Sequence, residues 1–188
     1  MRWKAKKLSD CCTSIADGDH QAPPKVDFGI PFVTISNINA YHQFDFTDTM
    51  FVSQEYYDQL DSKRKAQEGD VLYSVVGSFG IPVYMKETVP FAFQRHIAIL
   101  RSNDTILPQF LYYTMLSRDF YMMADAAALG AAQRTVSLTA LRNMKISVPP
   151  MDAQKKITDI LSAYDDLIEN NQKQIKLLEE AAQRLYKE

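Results

Sequence analysis

Two short segments carry side chains of the kinds that read nucleic-acid bases. Gln94-Arg95-His96 and Gln133-Arg134-Thr135 each set an amide beside a guanidinium. Gln matches the adenine edge in the major groove, Arg matches guanine with a two-pronged donor, and a Thr or Ser hydroxyl serves base or phosphate. Asp61-Ser62-Lys63-Arg64-Lys65 adds three consecutive cations suited to backbone phosphates. With Ser78, in the turn Gly77-Ser78-Phe79-Gly80, the candidate DNA-contacting set is Lys63, Arg64, Lys65, Ser78, Gln94, Arg95, His96, Gln133, Arg134 and Thr135. The plainer alternative is a set of solvated surface side chains, because Lys-Arg-Lys turns and Gln-Arg pairs are common.

Catalytic patterns are harder to find. His20, His42 and His96 lack the paired spacing that zinc sites use. Asp17-Gly18-Asp19-His20 invites an acid–base or metal reading, but a turn built from Asp and Gly accounts for it more simply. There is no Gly-x-Ser-x-Gly elbow and no phosphate-binding P-loop, and Gly77 to Gly80 is too short for a dinucleotide fingerprint. Val148-Pro149-Pro150-Met151 shares only its prolines with the tetrapeptide of amino-methyltransferases. It lacks the leading hydrogen-bond acceptor and the aromatic that stacks on a flipped base. The residues therefore point to a non-catalytic chain with no metal or cofactor of its own.

The candidate segments need a scaffold, and the first 150 residues supply a mixed α and β one. Leu8-Ser9-Asp10 opens a short helix, capped by Ser9 and running to Ala16-Asp17-Gly18. Residues 30–38 are β-branched and aromatic and read as a strand. Ser53 caps a helix through Leu60. Gly69-Asp70 turns into a strand over 71–76, and 81–85 and 91–100 continue the sheet, which places Gln94-Arg95-His96 in a strand. Pro108 sits in the first turn of a helix carrying Phe110, Leu111, Thr114, Met115 and Leu116. A loop around Leu129-Gly130 then holds Gln133-Arg134-Thr135. Ser137 caps a further helix to Met144, and 145–148 forms an edge strand that Pro149-Pro150 stops.

Composition bounds the class. The chain of 188 residues is 46% hydrophobic and 23% charged, with six Gly and eight Pro, which excludes collagen-like and Pro/Gly-rich disordered chains. No stretch approaches the roughly 20 apolar residues of a membrane span, and the basic start MRWKAKKLSD is not followed by the apolar run of a secretory signal. The only cysteines, Cys11 and Cys12, are neighbours that suit neither a disulfide framework nor a metal site, so the reducing cytoplasm is the expected compartment. A formal charge of −2 argues against a nucleic-acid partner until it is divided along the chain. Residues 1–150 hold 15 basic and 15 acidic side chains, while 151–188 hold six and eight. Within the first part, 27–61 has six acids and no Lys or Arg, whereas 88–145 has six cations against three acids. A neutral total is compatible with a phosphate-binding face.

Pro149-Pro150 marks a boundary. From Asp152 onward there is no Gly or Pro, and Ala, Leu, Glu, Lys and Gln dominate. Asp152 is the expected cap of one long helix. Its apolar seam runs Ile157, Ile160, Tyr164, Leu167, Asn171, Ile175, Leu178, Ala182 and Leu185. The steps alternate three and four, as in a coiled-coil heptad, with one doubled four from Asn171 to Ile175 that unwinds the supercoil locally. An Asn in such a seam fixes register and partner number at a cost in stability. A helix this long outruns a compact 150-residue domain, so the seam points to a second chain rather than to folding back on its own domain. The fold class is α+β: a mixed-sheet domain over 1–149 and a coiled-coil helix over 150–188.

The order of these segments resembles one half of a type I restriction–modification specificity subunit. The resemblance rests on Asp17-Gly18-Asp19-His20-Gln21-Ala22-Pro23-Pro24, Gly29 to Ile38, Glu68-Gly69-Asp70-Val71-Leu72-Tyr73-Ser74 with Gly77 and Gly80, and Gln94-Arg95-His96-Ile97-Ala98. It continues through Gly130 and Gln133, Ile146 to Gln154, Ile157, Leu161 and the tail Leu177 to Tyr186. Ala153 departs from it, standing where the family usually carries Glu before the Gln.

That resemblance implies a target-recognition domain followed by a spacer helix. It also implies double-stranded DNA as ligand and a modification subunit that brings S-adenosylmethionine and methylates adenine. A separate restriction subunit, where present, carries the nuclease. Full family subunits hold two such repeats. One repeat here implies either a half-subunit that pairs as a homodimer or one half of a longer protein. A symmetric pair would read a palindromic, interrupted target. From a different class, a coiled-coil interaction protein that no longer reads DNA is the competing expectation.

Overall fold

The computed structural model describes residues 3–21 and 23–186. Nine strands and six α-helices follow in chain order among them. They are β1 (Lys4–Lys7), α1 (Leu8–Cys11), β2 (Cys12–Asp17), β3 (Ile30–Val33), β4 (Met50–Val52), α2 (Gln54–Gln59), β5 (Val71–Ser74), β6 (Pro82–Tyr84), β7 (Ala92–Phe93), β8 (Ile97–Ser102), α3 (Pro108–Leu116), α4 (Arg118–Ala127), α5 (Leu138–Asn143), β9 (Lys145–Val148) and α6 (Met151–Leu185).

An antiparallel sheet of four strands, ordered β2-β8-β5-β6, forms the middle layer. Its two central strands are buried on both faces, which explains their nearly unbroken apolar runs. Val71 and Tyr73 of β5, with Ala98 and Leu100 of β8, face the layer of α3, α4 and α5. Leu72, Ile97 and Ile99 face the other way, onto Val33, Phe91 and Phe93. The second face is covered by a three-stranded sheet, β4-β3-β7, in which β3 runs antiparallel to β4 and parallel to β7. A third, two-stranded ladder pairs β1 with β9, so β1 is tied beside the start of α6. One buried ion pair fastens β5 to β8: Arg101 donates from Nε and Nη2 to the two carboxylate oxygens of Asp70 at 2.9 and 2.8 Å, and Asp70 is 1% exposed.

The expected α+β class with a mixed sheet and a long C-terminal helix is what the chain adopts. Ser53, Ser137 and Pro108 act where their types predict: the two hydroxyls accept from Tyr56 and Ala140, and Pro108 occupies the first turn of α3.

Several local expectations are corrected. The first helix starts at Leu8 and ends at Cys11, and 12–17 is strand β2, because its backbone pairs with β8 from Ser102 to Ala98. Residues 30–38 divide into β3 and a single 3-10 turn over Ile35–Asn37, where Asn37 Oδ1 accepts from the Thr34 N–H at 2.9 Å. The expected strand over 91–100 is interrupted, since Arg95 and His96 form a turn between β7 and β8. Helix α4 was not expected; Ser117 both closes α3, donating to Thr114 O at 2.7 Å, and caps α4 by accepting from the Phe120 N–H. The N-cap of α6 is Pro150, with Asp152 in the first turn.

Candidate nucleic-acid interface

The Gln94-Arg95-His96 turn is shaped by the end of β2. Gly18 N–H donates to Ile97 O, Asp19 N–H to Phe93 O and Arg95 N–H to Asp19 O, so the 17–19 segment threads against both sides of the turn. A Cβ on Gly18 would stand 2.0 Å from the Phe93 carbonyl oxygen, so only glycine permits this approach. The second segment is pinned as firmly. Leu129 and Thr135 exchange two backbone hydrogen bonds at 2.9 and 2.7 Å, Gly77 N–H donates to Arg134 O, and Val136 N–H donates to Val75 O. Between these ties Gly130, at φ 110°, turns the chain sharply and leaves Ala131, Ala132 and Gln133 exposed at the tip.

These two loops, some 40 residues apart in sequence, meet. Arg95, His96, Gln133 and Thr135 share the wall of one cleft of about 280 Å³ with Asp17 and His20. Arg95 and Gln133 are exposed. Among the described residues the Arg95 guanidinium has no carboxylate within ion-pairing distance. His96 is held below the usual imidazole range, first by burial and then by the positive charge of Arg95. The cleft thus presents a guanidinium, an amide, a hydroxyl and an imidazole whose charged form is disfavoured, a donor and acceptor set fit for base edges and phosphate.

The other candidate side chains are placed differently. Arg134 points away from the cleft, donating to the Asp125 carboxylate and carbonyl and lying 5.3 Å over the Phe79 ring, so it ties the loop to α4. Gln94 is half-buried, bridging Asp19 and donating its N–H to Val33 O. Ser78 is exposed in the adjoining glycine turn. Of the basic cluster only Lys63 is exposed. Arg64 bonds Asp19 at 3.2 Å and Asp17 at 3.8 Å, and Lys65 donates to Asp58 O while covering the Tyr57 ring. Asp19 also accepts from the Tyr56 hydroxyl, and Asp17 pairs with His20 at 3.0 Å. The Asp-Gly-Asp-His segment is therefore the anchor beneath the cleft, a role that residue type alone did not reveal. Among the described residues no group of three or more His, Cys, Asp or Glu side chains could hold a metal ion.

Helix α6 carries two stripes about a third of a turn apart. The positions it turns toward its own domain are Ala153 and Ile157 near the start and the polar Gln154, Thr158, Ser162, Asp165, Glu169 and Gln172. Of the seam, Ile157 packs on the domain core. Ile160, Tyr164, Leu167, Ile175, Leu178 and Leu185 stand between 55% and 77% exposed, and Asn171 lies exposed among them. No helix among the described residues is long and apolar enough to cross a membrane.

A family model of the type I restriction modification DNA specificity domain matches residues 2–180. The chain belongs to the type I restriction–modification DNA specificity family. Over 193 aligned residues it is 28% identical to a Methanocaldococcus jannaschii protein assigned as the specificity subunit of the type I restriction enzyme MjaX, covering 98% of this chain and 44% of that one. Over 197 it is 26% identical to the HindI specificity subunit of Haemophilus influenzae, covering 98% and 40%. Among solved structures, the type I restriction–modification S subunit from M. genitalium matches 89% of this chain and 40% of its own with a TM-score of 0.64, at 15% identity, a likeness of fold. The chain thus spans less than half the length of the specificity subunits it matches. Two features of this specificity chain had no signal in residue type: the carboxylate ties that pair Arg64 with Asp17 and Asp19 and Arg134 with Asp125, and the docking of α6 by a largely polar stripe.

Proposed function

We propose that this chain is a non-catalytic DNA reader of one half-site, acting in the cytoplasm and directing a partner adenine methyltransferase to that sequence. The observation that carries the reading is the meeting of the 94–96 turn and the 129–135 loop, which gathers unpaired donors from two distant segments into one cleft. Arg95 and Gln133 make the base contacts, His96 and Thr135 contact base or phosphate, and Lys63 adds a backbone contact at the edge. The uncovered stripe on α6 pairs with a second recognition repeat, supplied by another copy of the chain or by the other half of a longer protein. The modification subunit supplies S-adenosylmethionine and the methyl transfer. A restriction subunit, where one exists, joins the same complex. This division of labour accords with a chain rich in donors and poor in catalytic constellations.

Co-expression with the modification subunit, followed by genome-wide mapping of methylated adenine, tests the reading. The expected result is one interrupted target, palindromic if the chain pairs with itself. Absence of sequence-dependent methylation, together with no salt-dependent DNA binding by the complex, overturns it and favours an interaction protein.

A further inference from the structure

The long helix is held to its domain at two levels. At its first turn the buried Gln154 amide accepts from the Leu107 N–H at 2.8 Å and donates to Thr105 O and Pro149 O at 3.2 and 2.9 Å. Eleven residues on, the Tyr113 hydroxyl of α3 donates to Asp165 Oδ2 at 2.7 Å. Lys86, just past β6, donates from Nζ to Glu169 Oε2 at 2.6 Å and to Asp166 Oδ1 at 3.3 Å. Lys173, one turn further, holds the other oxygen of Glu169 at 2.8 Å.

Between the helix and the domain runs an open groove of about 530 Å³, walled by Phe44, Tyr84 and Tyr112 on one side and Ser162 and Ile168 on the other. No close-packed core fills that space, so the direction of α6 is not fixed by packing at this level. The polar ties across it fix the direction instead. Beyond Gln172 every described residue of the helix is exposed.

We propose that Lys86 and Tyr113 are positioning residues that set the angle of α6 against the reading domain, and through it the distance between half-sites that the protein accepts. The second part rests on the half-site reading above. The lever is long: Gln154 to Leu185 spans about 46 Å of helix. A pivot of about 5° at Gln154 moves the far end by about 4 Å, more than the roughly 3.4 Å rise of one base pair. A loose joint therefore blurs the ruler by a whole base-pair step, and a tied joint does not.

The test uses the full chain carrying Lys86→Met and Tyr113→Phe, which keep volume and remove the ties. Spin labels on genetically encoded residues at Asp48, in the loop that faces the far part of the helix, and Glu179, diluted with unlabelled chain, report the angle without touching Cys11 or Cys12. The distance distribution is expected to broaden about twofold. In the complex with the modification subunit, the preference for the native spacing over one changed by a base pair is expected to fall about fivefold, the factor for losing two partly exposed polar ties. Methylation at the native spacing stays within about twofold. An unchanged distribution overturns the tie, and a broadened distribution with unchanged spacing preference overturns its role as ruler. A wild-type complex that methylates no interrupted target overturns the half-site reading instead, and the two failures are separable because the label distances are read without DNA.

Discussion

The central sheet and the long helix place their apolar residues in opposite ways. In β5 and β8 every residue from Val71 to Ser74 and from Ile97 to Leu100 is buried, and alternate side chains feed two separate core layers. In α6 the fully buried positions are Gln154 and Thr158, while six large apolar side chains of the seam face solvent. The sheet is covered on both faces. The helix docks through polar groups together with Ile157 and leaves an aliphatic stripe exposed to solvent.

Paired truncations would break that comparison or sharpen it. Leu100→Ala opens a cavity between β8 and the helical layer and is expected to cost about 3 kcal/mol. In a chain of this size that lowers the melting temperature by roughly 10 °C. Leu178→Ala removes the same atoms from an exposed position. It is expected to leave the melting temperature of the dilute chain unchanged within about 1 °C and to weaken self-association, read by sedimentation, by about tenfold. If Leu178→Ala destabilised the monomer as Leu100→Ala does, the seam would be a covered surface and the contrast would collapse.

What could be read from the sequence divides along the same line. Ser53, Ser137 and Pro108 announce helix starts because capping is decided within a few residues. The runs at 71–74 and 97–100 announce strands because two-sided burial demands apolar residues at every position. Strand β2 was hidden because Ser9 offers a local capping signal, while the strand exists only through pairing with β8, more than 80 residues away. Helix α4 was hidden because Ser117 ends one helix and starts the next without an intervening loop. At the site, Arg95 and Gln133 were visible by type, but their meeting depends on backbone bonds between Gly77 and Arg134 and between Leu129 and Thr135. The seam was visible by spacing. The docked stripe was not, because Gln154, Asp165 and Glu169 look like any solvated helix face.

A second contrast lies within the cationic side chains and has a smaller expected size. Arg95 has no ion-pair partner among the described residues, whereas Arg64 is fixed by Asp17 and Asp19 beneath the cleft. Arg95→Ala is expected to weaken specific DNA binding by about tenfold, with the melting temperature unchanged. Arg64→Ala is expected to do the reverse, lowering stability by about 1 kcal/mol after allowance for solvent screening and affecting DNA affinity less. Fluorescence anisotropy with the complex and thermal unfolding of the chain separate the two. A loss of DNA affinity in Arg64→Ala equal to that in Arg95→Ala, at unchanged stability, would move Arg64 from the anchor to the contact surface.

The smallest effect belongs to His96, which shares the cleft with Arg95. Burial disfavours its charged form and the Arg95 charge adds to that, so the folded imidazole protonates below the ordinary value of 6.5. In the unfolded chain it protonates near 6.5, so between the two values the unfolded state holds the extra proton. Stability therefore falls as pH drops from about 6.5 through that window. A phosphate brought into the cleft acts in the opposite sense, favouring the imidazolium, so DNA binding takes up a proton and strengthens over the same window. Melting temperature and DNA affinity should then move in opposite directions between about pH 7.5 and 5.5, and His96→Gln should flatten both slopes. Parallel slopes, or slopes unaltered by His96→Gln, would place the phosphate away from this imidazole and leave Arg95 and Gln133 to read base edges without it.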